Sequence, residues 1–117
     1  MMAFPGTLDG HFRQVEQLQA VRKSDLEMGD CLVVETRNSR YHIVSLGDGT
    51  YRVSGGFFDR SGGPVVTTIA GCTWGGSAIH TDLAAAPGLF LEFGNRVMTT
   101  RIRSLSVIPS RPSGSIH

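Results

Sequence analysis

The sequence has almost no lysine, very little cysteine and no long apolar run. Lys23 is the single lysine among eleven basic residues, and ten acidic residues leave a formal net charge of +1. A molecule with so small a net charge has no strong overall field to attract nucleic acid or an anionic membrane. No apolar stretch approaches the roughly 20 residues that span a bilayer.

Metal-binding patterns are also missing from the sequence. The two cysteines, Cys31 and Cys72, form no Cys-x-x-Cys pair, and the four histidines show no close ligand spacing. Structural zinc sites need such spacing to bring their ligands together. We therefore predict that the protein holds no metal and no cofactor.

The first residues lack the basic region and the apolar core of a signal peptide. This favours a cytoplasmic location. In that compartment a disulfide between Cys31 and Cys72 is not required.

What the sequence does contain is glycine among β-branched residues. Fifteen glycines and five prolines punctuate short apolar runs, a composition typical of a turn-rich all-β chain. At 117 residues the chain has room for one domain with a modest core.

A predicted hairpin over residues 29–44 organises the chain. Leu32, Val33 and Val34 form one apolar run, and Tyr41, Ile43 and Val44 form another, with a turn at Asn38 and Ser39 between them. Both faces of this hairpin are partly apolar, which suits a barrel or sandwich better than an open sheet with a wet face.

Four more strands follow the hairpin, over residues 51–54, 65–72, 89–93 and 96–100, with a tight-turn signal at Gly94-Asn95 between the last two. The result is an all-β fold: a small antiparallel barrel or sandwich of about six strands. We predict a flexible N-terminal arm over residues 1–10, a single β domain over residues 11–108 and a disordered tail over residues 109–117. The domain begins with a short helix, whose apolar stripe is Phe12, Val15, Leu18 and Val21.

Several turn and strand motifs lie along residues 26–107: Gly29-Asp30-Cys31-Leu32-Val33-Val34-Glu35-Thr36, Asn38-Ser39 with Tyr41, Gly55-Gly56, residues 71–77, and Thr99-Thr100 with Ile102 and Arg103-Ser104-Leu105. Together they resemble a group of small, uncharacterised bacterial β-rich proteins. The resemblance implies a small-barrel fold, without implying an activity.

The most unusual stretch is residues 71–80, which holds the single tryptophan. Trp74, Gly75, Gly76, Ser77 and His80 are candidate binding residues, with Trp74 as anchor, since tryptophan is enriched at binding hot spots. A core position for Trp74 is the alternative. Cys72 with His42 or His80 as base would make an enzyme, but the spacing matches no nucleophile motif, so we predict no catalytic residues.

A second candidate surface combines arginines with tyrosine. Small barrels bind single-stranded nucleic acid through aromatic platforms and basic grooves. The candidate residues are Arg37, Arg40, Tyr41 and Arg52, and a further basic run without acids comprises Arg96, Arg101, Arg103 and Arg111.

The favoured interpretation is a non-catalytic binding or assembly module that forms homo-oligomers. In a short chain whose strands are apolar on both faces, the edge strands of the sheet keep unpaired backbone groups, and a second copy of the chain can cover these edges. A single-stranded nucleic-acid-binding barrel is the alternative, and an enzyme built on Cys72 comes third.

Overall fold

The structure, a computed structural model, describes residues 20–76 and 78–110 of the chain. These residues form ten strands, one helix, α1 (Gly56–Arg60), and one 3₁₀ turn (Lys23–Asp25). The strands are β1 (Val21–Arg22), β2 (Cys31–Thr36), β3 (Arg40–Gly47), β4 (Thr50–Gly55), β5 (Val65–Thr67), β6 (Ile69–Thr73), β7 (Ile79–His80), β8 (Leu83–Ala85), β9 (Phe90–Phe93) and β10 (Met98–Ile108).

All strand pairs are antiparallel, which confirms the all-β prediction. Eight strands form one sheet in the order β5-β4-β3-β2-β10-β9-β6-β7, and β1 pairs with β8 in a separate sheet of two. The predicted hairpin over residues 29–44 is the β2–β3 pair, in which Val34 lies opposite Tyr41.

Buried and exposed side chains alternate along the strands, which gives the sheet an inner and an outer face. Leu32 and Val34 of β2 are fully buried, whereas Cys31, Val33 and Glu35 are half-exposed. Because successive strand residues point to opposite faces, the first pair enters the core and the other three residues lie outside. One contiguous core results, to which helix α1 and every strand except the short, exposed β7 contribute.

Thr68 is the one residue between β5 and β6, which stand at first and seventh place in the strand order. Two residues that flank a single residue are at most about 7 Å apart. The sheet must therefore curl until these two strands come close. The Gly94 N–H donates to the Thr68 carbonyl at 2.8 Å, which ties the bend to the turn after β9.

The prediction of a barrel or sandwich with about six strands needs correction. Among the described residues the eight-stranded sheet is not closed by a ladder between its terminal strands. The predicted strand over residues 65–72 is broken at Thr68, and β1, β7 and β8 were not predicted. These three strands have two or three residues each, too few for an alternating pattern to be visible in the sequence.

The predicted N-terminal arm and most of the predicted helix and tail lie outside the described residues. Val21, the last member of the helical stripe, belongs to β1 and lies opposite Ala85 of β8. A helix including Val21 is therefore wrong at that residue, because its backbone is engaged in strand pairing.

A substitution at Gly55 tests how closely β3 and β4 approach each other. Gly55 has φ +93°, and a Cβ added there would overlap the backbone carbonyl of Arg40. We expect Gly55→Ala to lower the free energy of unfolding by about 2 kcal/mol or more. Gly49→Ala is the matched control, because Gly49 has φ +78° with nothing within 4 Å and should lose only about 1 kcal/mol. Urea denaturation measures both, and equal losses would contradict the close approach.

Candidate functional site

A groove of about 620 Å³ opens where the β2–β3 turn, helix α1 and the β9–β10 hairpin meet. Its volume lies within the range of small-molecule sites. Aromatic, aliphatic, basic and small polar side chains line it, and none of these side chains is acidic. We call it the arginine groove, and its lining residues are Asn38, Ser39, Tyr41, Phe57, Arg60, Arg96, Val97, Met98 and Thr100.

The aromatic wall of the groove is set by helix α1. Successive residues of a helix point about 100° apart, so the adjacent Phe57 and Phe58 face different surroundings. Phe58 is 1% exposed in the core, whereas Phe57 is 42% exposed at the groove. The Asp59 carboxylate accepts a hydrogen bond from the Gly55 N–H at 2.9 Å and fixes the start of the helix. Phe57 is thus held at the groove by the burial of its neighbour.

Arg96 lies in a strained turn. The Phe93 N–H donates to the Val97 carbonyl at 2.9 Å, and the Arg96 N–H donates to the Phe93 carbonyl at 3.0 Å. Arg96 has φ +74° and is the one non-glycine residue with positive φ among residues 20–76 and 78–110. Glycine is usual at this position of a three-residue hairpin loop. A side chain there costs about 1–2 kcal/mol, and strain of this kind is concentrated at functional sites.

Among the described residues, the arginines of the groove take part in no ion pair. Within the described part of the chain the ion pairs are Arg22 with Asp82 and Arg40 with Glu35. Neither pair includes Arg60 or Arg96. Two guanidinium groups therefore remain available to an anionic ligand, and such groups match phosphate and carboxylate geometry.

The predicted loop around Trp74 lies between β6 and β7. Trp74 is 65% exposed, so the alternative of a core tryptophan is wrong. Gly75 and Gly76 are exposed beside it, His80 is exposed in β7, and Ser77 lies outside the described residues. Gly75 has φ +110° and packs against Phe90, where a Cβ would lie 2.9 Å from the ring. The loop is therefore a surface feature with one aromatic side chain in solvent.

The structure does not bring the other predicted residues into one site. Arg40 and Tyr41 are neighbours in β3 and point to opposite faces. Tyr41 is buried and lines the arginine groove, whereas Arg40 and Arg52 are exposed on the outer face. Arg37 lies exposed in the β2–β3 turn.

Arg40 on β3 forms a hydrogen bond with Glu35, its register partner on β2. Its Nε donates to Glu35 Oε2 at 2.8 Å, and the Ser104 hydroxyl donates to Glu35 Oε1 at 3.1 Å. The hydrogen bond from Arg40, supported by that from Ser104, lowers the pKa of the Glu35 carboxyl. Of the four predicted residues, Tyr41 alone lines the groove.

Cys72 is poorly placed for catalysis. Its side chain is fully buried, and burial raises the pKa of its thiol to about 11. A nucleophilic cysteine needs its thiolate form near neutral pH. His80 is the β7 register partner of Cys72 but is exposed, and His42 lies outward on β3. Cys72 therefore has the environment of a core residue.

The groove residues absent from the predicted site are Asn38, Ser39, Phe57, Arg60, Arg96, Val97, Met98 and Thr100. Two features of the sequence could have indicated Phe57 and Arg96. Adjacent phenylalanines cannot both enter one core from a regular strand, which predicts that one of Phe57 and Phe58 is exposed or covers an end of the fold. Arg96 belongs to the acid-free basic run predicted for nucleic acid. No sequence signal joined Arg60 to Arg96, which are brought together by tertiary folding.

Two further findings bear on the site. No cluster of three or more His, Cys, Asp or Glu side chains that could hold a metal ion occurs within residues 20–76 and 78–110. In the same part of the chain, no helix is both long enough and apolar enough to cross a membrane.

Comparison of the chain with protein-family models, with curated proteins and with solved structures finds no match. The resemblance to small bacterial β-rich proteins stays a prediction. Any function must therefore be argued from the site itself.

Alkylation tests the burial of the Cys72 thiol. At about pH 8 we expect iodoacetamide to label the folded protein slowly at the half-exposed Cys31, because burial raises the pKa of that thiol, and to spare the fully buried Cys72. In a Cys31→Ser variant, labelling should wait for unfolding in urea, as followed by mass spectrometry. Labelling of folded Cys31→Ser at the rate of a free thiol would contradict the buried position and reopen catalysis by Cys72.

Proposed function

We propose that the protein is a non-catalytic module that binds single-stranded nucleic acid in the arginine groove. The observation that carries the proposal is the grouping of Phe57 and Tyr41 with Arg60 and Arg96 around one groove without a carboxylate. Proteins that bind single strands combine positive charge for the phosphates with aromatic surfaces for the bases.

The electrostatic attraction that supports this proposal acts at short range, inside the groove. A net charge of +1 gives no long-range attraction, but two arginines in one groove act at contact distance. Each guanidinium can contact phosphate oxygens through two parallel hydrogen bonds. Asn38 and Ser39 add small polar groups at the same groove, which suit sugar and base edges. Phe57 offers the exposed ring for stacking.

The curl of the sheet also supports the proposal. β5 and β6 are separated by Thr68 alone, which favours a barrel-like arrangement around the shared core. Small barrels recur as single-strand binders, although fold by itself does not give function. A cytoplasmic location also stays a prediction from the sequence.

Binding of a fluorescent oligothymidine, followed by anisotropy, tests the groove. At about 50 mM salt we expect Arg60→Ala and Arg96→Gly each to weaken binding roughly tenfold, because each removes a charged hydrogen bond to phosphate. The slope of log affinity against log salt should fall by about 0.7 per arginine. Arg103→Ala, which removes an exposed arginine outside the groove lining, is the matched control.

Arg96→Gly separates binding from folding. It removes the positive-φ strain, so we expect it to raise the free energy of unfolding by about 1 kcal/mol while weakening binding. Equal effects of Arg103→Ala and Arg60→Ala, or no binding by the native protein at low salt, would contradict the proposal.

Assembly with a second copy is the other candidate function, and the outer face of the sheet favours it. One row of residues crosses five strands by register and is mostly apolar: Ile108, Cys31, Val44, Arg52 and Val66. Ile108 and Val66 are well exposed, and Cys31 and Val44 are half-exposed. We call this set the outer row. An isologous contact between two such rows would remove their apolar surface from water.

Light scattering over a range of protein concentrations tests the assembly. We expect the native protein to form oligomers and Val44→Arg to be monomeric, because a charge at the centre of the outer row cannot be desolvated cheaply. Thr81→Arg, at an exposed turn between β7 and β8, is the control and should assemble like the native protein. A native protein that is monomeric at every concentration would remove this candidate.

A further inference from the structure

A second aromatic and basic surface lies on the β6–β7 loop, β9 and β10, outside the lining of the arginine groove. Its members are Trp74, Phe90 and Arg101, and we call it the tryptophan strip. The Arg101 guanidinium lies over the Phe90 ring, 4.7 Å from the ring centroid. Gly75 packs against the same ring and Thr73 is the register partner of Phe90, so the backbone on both sides of Trp74 lies beside Phe90.

The strip is held in place by hydrogen bonds. The Thr73 hydroxyl donates to the Ala78 carbonyl at 2.7 Å and accepts from the Gly75 N–H at 3.1 Å, which fixes the chain on both sides of Trp74. Arg101 Nη1 donates to the Gly88 carbonyl at 2.8 Å. The exposed Trp74 ring is therefore presented from an anchored turn. Among the described residues, no neighbouring segment buries it.

An irregularity in β10 connects the strip to the groove. Between Met98 and Arg101 the pairing with β9 shifts register. Thr99 turns inward at this point, and its hydroxyl accepts the Leu91 N–H at 3.1 Å. As a result Thr100, which lines the groove, and Arg101, which lies on Phe90, are consecutive exposed residues. Glu92, the register partner of Met98, is half-exposed next to this route.

We propose that the tryptophan strip extends the arginine groove into one binding track, and that the ligand is therefore a single strand of several nucleotides. This inference rests on the proposed function. One end of the strand lies in the groove with its phosphates on Arg60 and Arg96, and at the other end a base stacks on the exposed ring of Trp74. Arg101 adds a cation beside the rings, where it can contact phosphate or stack on a base.

The fluorescence of Trp74 tests this track directly, because it is the only tryptophan in the chain. An oligothymidine of about eight nucleotides lies within the length that one small binding fold covers, and we expect it to quench Trp74. One of about two nucleotides should bind the groove without quenching. Trp74→Ala should weaken binding of the longer strand roughly 5- to 150-fold and leave binding of the shorter one unchanged.

The controls separate this inference from the proposed function. Trp74→Phe keeps a stacking surface and should restore much of the affinity for the longer strand. If Arg60→Ala weakens binding while Trp74→Ala does not, and the longer strand causes no quenching, the strip is overturned and the groove stands. If Trp74→Ala weakens binding while Arg60→Ala does not, the groove proposal fails, and with it the continuous track. Equal quenching by the matching duplex or by polyphosphate would overturn stacking of single-stranded bases.

Discussion

The packing of Phe58 between Tyr41 and Phe93 is the interaction on which the rest of the structure depends. The Phe58 ring meets both partners edge to face, with centroid separations of 6.2 Å to Tyr41 and 5.3 Å to Phe93. Tyr41 belongs to β3 and Phe93 to β9, two strands that are not neighbours in the sheet. Phe58 therefore joins helix α1 to both halves of the sheet across the core. Such aromatic contacts add stability beyond the burial of their surface.

This core contact also sets the geometry of the candidate site. Because Phe58 points inward, the preceding residue of the helix, Phe57, points to the arginine groove, and Arg60 follows at the end of the same short helix. Tyr41 is shared, since it packs on Phe58 and lines the groove. The bend at Thr68 brings β5 and β6, the first and seventh strands in the order, close to each other at the same core. The groove is thus formed by segments remote in sequence and needs no long loop of its own.

The sequence predicted the class of fold better than the site. Alternating apolar residues predicted β2, β3 and β4, and the Gly94–Asn95 signal predicted the hairpin that carries Arg96. Tertiary contacts decided the rest. Cys72 and Trp74 would share a face on a continuous strand, but β6 ends at Thr73, so one became core and the other surface. Arg40 and Tyr41 were predicted as one site although strand alternation separates them. Arg60 and Arg96 lie on different elements, and no spacing rule relates them.

A two-dimensional NOE spectrum of the aromatic side chains tests the central contact most directly. With Phe58 buried between the two strands, its ring protons should give cross-peaks to the ring protons of both Tyr41 and Phe93. Helix α1 would then be fixed on the core, with Phe57 and Arg60 at the groove. A Phe58 ring that gives cross-peaks to neither, in a protein that is otherwise folded, would contradict the account, because helix α1 would not be anchored and the groove would lack a wall.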